Sequence, residues 1–178
     1  MIRWAAAAVG AGLAVLVGLA PSVRAAESSA GALSALLPDV APEARRVTIL
    51  WDPDVANARA DFVAAWDGAR AQALMPGGLE LRSTGEIDAA LAEVIRLRSD
   101  ALLVLRLRVG REGLARIAAF AAGRSLPALS VDRDFAPVGG LLSLGFEGTL
   151  VINLKVARAL GLRVPPAILR RASEVIDP

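Results

Sequence analysis

The 178-residue chain is 55% hydrophobic but only 4% aromatic, enough apolar material for one ordinary domain beside a leading segment. It has no histidine and no cysteine, which excludes Ser–His–Asp and Cys–His catalysis, an ordinary zinc site, disulfides and lipid attachment through an N-terminal cysteine. Its 20 basic and 18 acidic residues nearly balance, and no basic stripe with interleaved aromatics offers a surface to nucleic acid.

The chain opens with Met1-Ile2-Arg3, a short basic start, followed by an almost unbroken apolar run from Trp4 to Ala20. Pro21 breaks the run, and Val23-Arg24-Ala25 places small residues where a signal peptidase would cut. Residues 1–25 are therefore expected to be a cleavable signal peptide, delivering a periplasmic protein that does not span the membrane. An uncleaved anchor is the alternative, because the run is close to the shortest that spans a bilayer. Removing Arg3 and Arg24 brings the remaining basic residues level with the acidic ones. Residues 26–44 read as a linker, interrupted by Ser28, Ser29, Gly31, Pro38 and Pro42, with room for one helical turn between Ala32 and Leu37.

The domain proper is expected over residues 45–178. Val47 to Trp51 is a β-branched, aliphatic and aromatic run ended by Asp52-Pro53-Asp54, the pattern of a buried strand and a turn. Val55, Phe62, Trp66, Ala69 and Ala73 then recur at helical spacing. Pro76-Gly77-Gly78 predicts a stop, and Leu79 to Arg82 alternates as a half-exposed strand near a sheet edge. Ser83-Thr84-Gly85-Glu86 has capping-box spacing ahead of a helix with Ile87, Leu91, Val94 and Ile95 inward. Ala101 to Leu105 is apolar throughout, as a central strand covered on both faces would be. A third helix carries Leu114, Ile117, Ala118 and Ala121 and stops near Gly123. Short strands follow at Leu126–Ser130, Leu141–Leu144 and Leu150–Asn153. The chain closes with a short helix stopped by Gly161, a Pro165-Pro166 turn and a terminal amphipathic helix through Ile176. Helix-length spacers between strands imply right-handed crossovers. The expected fold class is α/β: a three-layer, Rossmann-like domain with a mainly parallel sheet.

Ligands of open α/β sheets bind at the carboxyl ends of strands, so Asp52 to Asn57 lies where a site is expected. Asp52, Asp54 and Asp61 form the only local acidic cluster; they offer oxygen ligands to a hard cation, or simply bracket a turn and favour a helix N-terminus. Arg106 and Arg108 follow the third strand and either attract an anion or stand solvated. Ser83 and Thr84 after the second strand, and Ser130 and Asp132 after the fourth, complete the candidate ligand-binding set and are also ordinary turn residues. Trp51 and Trp66 fill core or stack a ligand. No P-loop is present, and no cofactor, metal or catalytic residue is expected.

Val151-Ile152-Asn153-Leu154, then Lys155, Ala159-Leu160-Gly161-Leu162, the diproline and the closing Glu174-Val175-Ile176 form a recognisable ending. Together with Arg46–Pro53, Asp100–Leu105, Leu126-Pro127-Ala128 and Gly139–Ser143, it resembles the periplasmic substrate-binding proteins of ABC transporters of the tryptophan/tyrosine-binding type. The resemblance covers roughly Arg45 to the C-terminus and implies one lobe of a type I periplasmic binding protein. Family members have two lobes; here only Glu27 to Ala44 stands where the first would be, so the chain is expected to be a single-lobe form. The resemblance also implies an Asn-Ser pair opening the first helix, of which Asn57 is kept and Ala58 is not. An acid after the third strand is replaced by Arg106 and Arg108.

Two function classes follow. One is a substrate-binding-like component of an ABC system that binds an amino acid or organic anion without catalysis and meets a permease or another membrane or periplasmic protein. The other is a single-domain periplasmic regulatory or interaction module. Periplasmic repressors of membrane diguanylate cyclases have a comparable Gly-Gly-to-Ile-Asn-Leu ending, though their aromatic-rich N-terminal motif is missing here. An enzyme ranks third for want of catalytic groups.

Overall fold

The computed structural model describes residues 28–145 and 147–177. The expected signal peptide lies outside the described residues.

The first element, α1 (Ser29–Val40), corrects the expectation of a linker. Ser28 caps it, its hydroxyl accepting from the Gly31 N–H at 3.0 Å. Leu33, Leu36, Leu37 and Val40 repeat at three- and four-residue steps and are all buried. Pro38 sits in the last turn, where it removes a single helical bond and the helix is nearly over. Punctuation by Gly and Pro suggested a linker; the apolar stripe outweighs it once a sheet is present to receive it.

β1 (Arg46–Trp51) leads into α2 (Ala58–Ala71), β2 (Met75–Glu80), a 3₁₀ turn (Thr84–Glu86) and α3 (Ile87–Arg96). β3 (Ala101–Val104), α4 (Gly110–Gly123), β4 (Ala128–Ser130), β5 (Leu142–Leu144) and β6 (Leu150–Asn153) follow. The described chain closes with α5 (Leu154–Ala159), α6 (Pro166–Leu169) and β7 (Glu174–Ile176). The seven strands lie in the order β2-β1-β3-β4-β5-β6-β7. Every neighbouring pair is parallel except β5–β6. The α/β, mainly parallel architecture is as expected.

Helices cover both faces. Ala101, Leu103 and Leu105 face α1 and α2 in one core, while Leu102 and Val104 join Ile87, Leu91, Ile117 and Phe135 in the other. This is why Ala101 to Leu105 carries no polar residue. α1 and α2 approach closely: a Cβ on Gly68 would lie 2.9 Å from the Gly31 carbonyl oxygen.

Four local expectations need correction. Pro76-Gly77-Gly78 is not a turn but part of β2; the turn comes earlier, at Ala73 with φ 57°. The N–H groups of Met75 and Leu81 address β1, so the alternation of a parallel ladder turns residue 76 outward. An edge strand needs no donor there, and proline is tolerated. Next, Glu86 accepts from the Arg82 N–H at 2.8 Å, and the Ser83 side chain makes no cap bond. Ile95 is 43% exposed, because the α3 face toward the sheet is filled by Ile87, Leu91 and Val94. Finally, the terminal amphipathic helix is a single turn, α6, followed by β7, which pairs with β6. The β-branched Val175-Ile176 meets an open sheet edge there, and an edge rewards extension over helix.

Candidate functional site

The carboxyl ends of β1, β3 and β4 converge on one edge of the sheet. Past β1 the chain turns sharply, and the Asp52 carboxylate, fully buried, accepts from the Asp54 N–H at 3.0 Å. Arg108, beyond β3, donates from Nε to Asp52 Oδ2 at 2.7 Å and from Nη2 to Asp52 Oδ1 at 3.2 Å and Asp54 Oδ2 at 2.9 Å. The expectation that Arg108 either attracts an anion or stands solvated is thereby corrected. Its fork already holds two carboxylates, and the cluster of three carries net negative charge.

The same contacts set the electrostatics. The hydrogen bond from Arg108 holds the Asp52 carboxyl below its ordinary value against the opposing effect of burial, and the Asp54 N–H adds to it. Asp52 is thus a fixed anion rather than a base, and Arg108 stands where a hard cation would have to sit. No group of three or more metal-ligating side chains occurs among the described residues.

Because the folded value of Asp52 lies below 3.8, its contribution to stability is complete above that pH and is lost as the pH falls through the folded value. Asp61 works in the opposite sense, since burial raises it although Arg106 pulls it down. In Arg108→Ala the guanidinium goes and the burial of Asp52 stays, so Asp52 should titrate higher than in the unmodified protein. Urea unfolding midpoints at pH 3 to 7 should then show the variant's deficit largest at neutral pH and shrinking on acidification.

The other expected residues surround this cluster. Asn57 occupies the N-cap position of α2 in the left-handed conformation at φ 64°, with no side-chain cap bond; the backbone geometry accounts for its type. Ser83 and Thr84 are exposed at the end of β2. Arg106 is exposed and acts electrostatically on Asp61. Ser130 is buried and donates to the Val104 carbonyl at 2.7 Å while accepting from the Asp132 N–H at 3.0 Å. Asp132 accepts in turn from the Asp134 N–H at 3.0 Å. These two build a turn.

Sequence reading missed two groups. Ser143 and Asn153 clamp Ala136: its N–H donates to Ser143 Oγ at 2.8 Å, and Asn153 Nδ2 donates to its carbonyl at 3.0 Å. Their signal was a lone polar residue within an apolar strand. The second group lines a cavity of about 450 Å³ at the β4–β5–β6 end of the same edge, where Arg133 faces Asp134, Glu147, Thr149 and Glu174. These come from separated stretches, and no local pattern joins them.

No protein-family model matches the sequence, and no curated protein does. Solved structures match its fold. An ABC domain in complex with L-Trp from Streptococcus pneumonia aligns with TM-score 0.74 and 19% identity over 83% of this chain. A conserved domain protein from Vibrio cholerae gives 0.73 and 18% over 83%. A ligand-free, open substrate-binding protein with adhesive properties from Clostridium difficile gives 0.65 and 14% over 80%. The match spans 60%, 60% and 58% of those three chains. The mainly parallel α/β fold of this chain is shared with these structures.

Proposed function

We propose that this chain is an exported, substrate-binding-like component of an ABC transport system that binds a small molecule without transforming it. The observation that carries the reading is the fold: 83% of the chain overlays on an ABC domain that holds L-Trp. The chemistry of the strand edge supports it. With Arg108 committed to Asp52 and Asp54, that part of the edge is anionic, which disfavours a purely anionic ligand. The neighbouring cavity offers Arg133 to a carboxylate and Asp134, Glu147 and Glu174 to an ammonium, and its volume is that of a small-molecule site. An amino acid carries both charges and suits it better than an organic anion does.

Thermal melting of the purified protein against the common L-amino acids, L-Trp among them, and a set of small organic anions tests this. A ligand at 100 times its Kd stabilises by about 2.7 kcal/mol, a readable rise in Tm. At least one amino acid should raise Tm, and Arg133→Ala should abolish the rise. A flat response to the whole panel at 10 mM would refute ligand binding.

The second reading is a periplasmic interaction module. The Asp52–Arg108–Asp54 cluster favours it, since its charged groups are tied to one another rather than left for a ligand. Genes for a permease and an ATPase beside this one would favour transport; a gene for a membrane cyclase would favour regulation.

A further inference from the structure

Away from the charged strand edge, a cleft of about 510 Å³ opens on the flank of the sheet between β2 and α2, lined by Trp51, Phe62, Val63, Trp66, Asp67, Gly78 and Glu80. Phe62 stacks on Trp51 with ring centroids 4.6 Å apart and planes 26° from parallel. Trp66 tilts beside Phe62 at 5.6 Å and 44°. The described residues include five aromatic side chains, and three of them meet here. Phe135 by contrast is fully buried, whereas Phe62 and Trp66 are only half-buried and Val63 is 50% exposed. Trp51 is buried against the core, and Phe62 and Trp66 extend the ring cluster from it toward solvent.

The backbone is shaped to hold them. A Cβ on Gly78 would lie 2.7 Å from Phe62 Cζ, so only glycine lets that ring rest against β2 with its neighbours stacked beside it. The rim has one sign of charge. Glu80 is tied to Arg82 at 2.6 Å, but Asp67 has no ion-pair partner among the described residues, and no Lys or Arg lines the cleft. Ring faces attract cations, and a carboxylate beside them adds to that attraction. The volume lies within the range of small-ligand sites.

The geometry points to a binding site for a small organic cation with an apolar body, an aryl- or alkylammonium or guanidinium, with its positive group over the Phe62 and Trp66 faces and toward Asp67. The site stands independently of whether the strand edge binds an amino acid. Benzyltrimethylammonium is the probe, with benzyl alcohol as the neutral control, at constant ionic strength. Trp51 and Trp66 report binding by fluorescence, and calorimetry supplies an independent affinity. The cation should quench saturably and benzyl alcohol should not. Trp66→Leu should weaken the affinity about tenfold and Asp67→Asn about threefold, with unchanged melting. Asp67→Asn, on the surface, decides the matter if Trp66→Leu does not fold. Equal response to both probes, or an affinity unmoved by Asp67→Asn, would overturn the assignment.

Discussion

Leu37→Ala should lower the unfolding free energy by about 3 kcal/mol. Leu37 is fully buried on α1, within the stretch whose sequence reads as a linker, and it shares a core with Leu33, Val47, Ile49 and Leu103. Truncation removes its apolar surface from the core and leaves a cavity that α1 cannot collapse into. Gly31 already stands against Gly68 at the closest approach the two backbones allow. A protein of this size with a total stability of about 5 to 15 kcal/mol would lose a large part of it, and Tm should drop by about 6 to 12 °C. Met75→Ala, at a side chain 59% exposed, is the control and should change stability by less than about 0.5 kcal/mol. Urea unfolding followed by circular dichroism makes the comparison. A loss below about 1 kcal/mol for Leu37→Ala would show that residues 29–40 merely lean on the domain.

Gly140→Ala should be as costly by the opposite route, adding one methyl group where no volume exists. An ideal Cβ there would lie 2.2 Å from Cδ1 and 2.3 Å from Cε1 of Phe135, which is fully buried. The ring has no room to swing aside because it is packed within the core, and the backbone that carries it is pinned by the Phe135 N–H donating to the Asp132 carbonyl at 3.1 Å and the Gly140 N–H donating to the Phe135 carbonyl at 2.8 Å. Overpacking of this kind costs about 3 kcal/mol at the upper end of its range. Gly77→Ala is the paired control: its Cβ would meet nothing within 4 Å, and the change should be neutral or stabilising by up to about 1 kcal/mol. In a Phe135→Leu background the penalty of Gly140→Ala should shrink, since the ring is what it strikes. Equal effects of the two alanine substitutions would refute the packing argument.

Much of the fold was legible because its signals are local. The apolar run Ala101–Leu105 and the helical spacing of Leu114, Ile117, Ala118 and Ala121 depend on neighbours a few residues away. Errors gathered where a distant surface overruled local chemistry. Ser29–Val40 holds Pro38 and Gly31 yet is helical, because a sheet face and Gly68 await it. Met75–Glu80 holds Pro76, Gly77 and Gly78 yet is a strand, because β1 supplies one partner and the other side needs none. Glu174–Ile176 completes the sheet because β6 offers an unpaired edge.

The candidate site divides the same way. Asp52 and Asp54 bracket a proline, so the turn and the paired carboxylates could be read directly. Their partner Arg108 lies more than fifty residues on, and no spacing rule joins it to them. Nor could sequence show that Trp51, Phe62 and Trp66 meet on one flank of the sheet, since that depends on Gly78 from the next strand.

By itself, then, the sequence determined the α/β alternation, the buried central strand and the lack of any histidine or cysteine, because periodicity and composition act over a few residues. Tertiary structure alone decided which charges neutralise one another and which rings stay open to solvent. Those outcomes turn on the meeting of side chains from separate strands and helices, and a buried charge or an exposed ring acquires its energy only from what the fold sets against it.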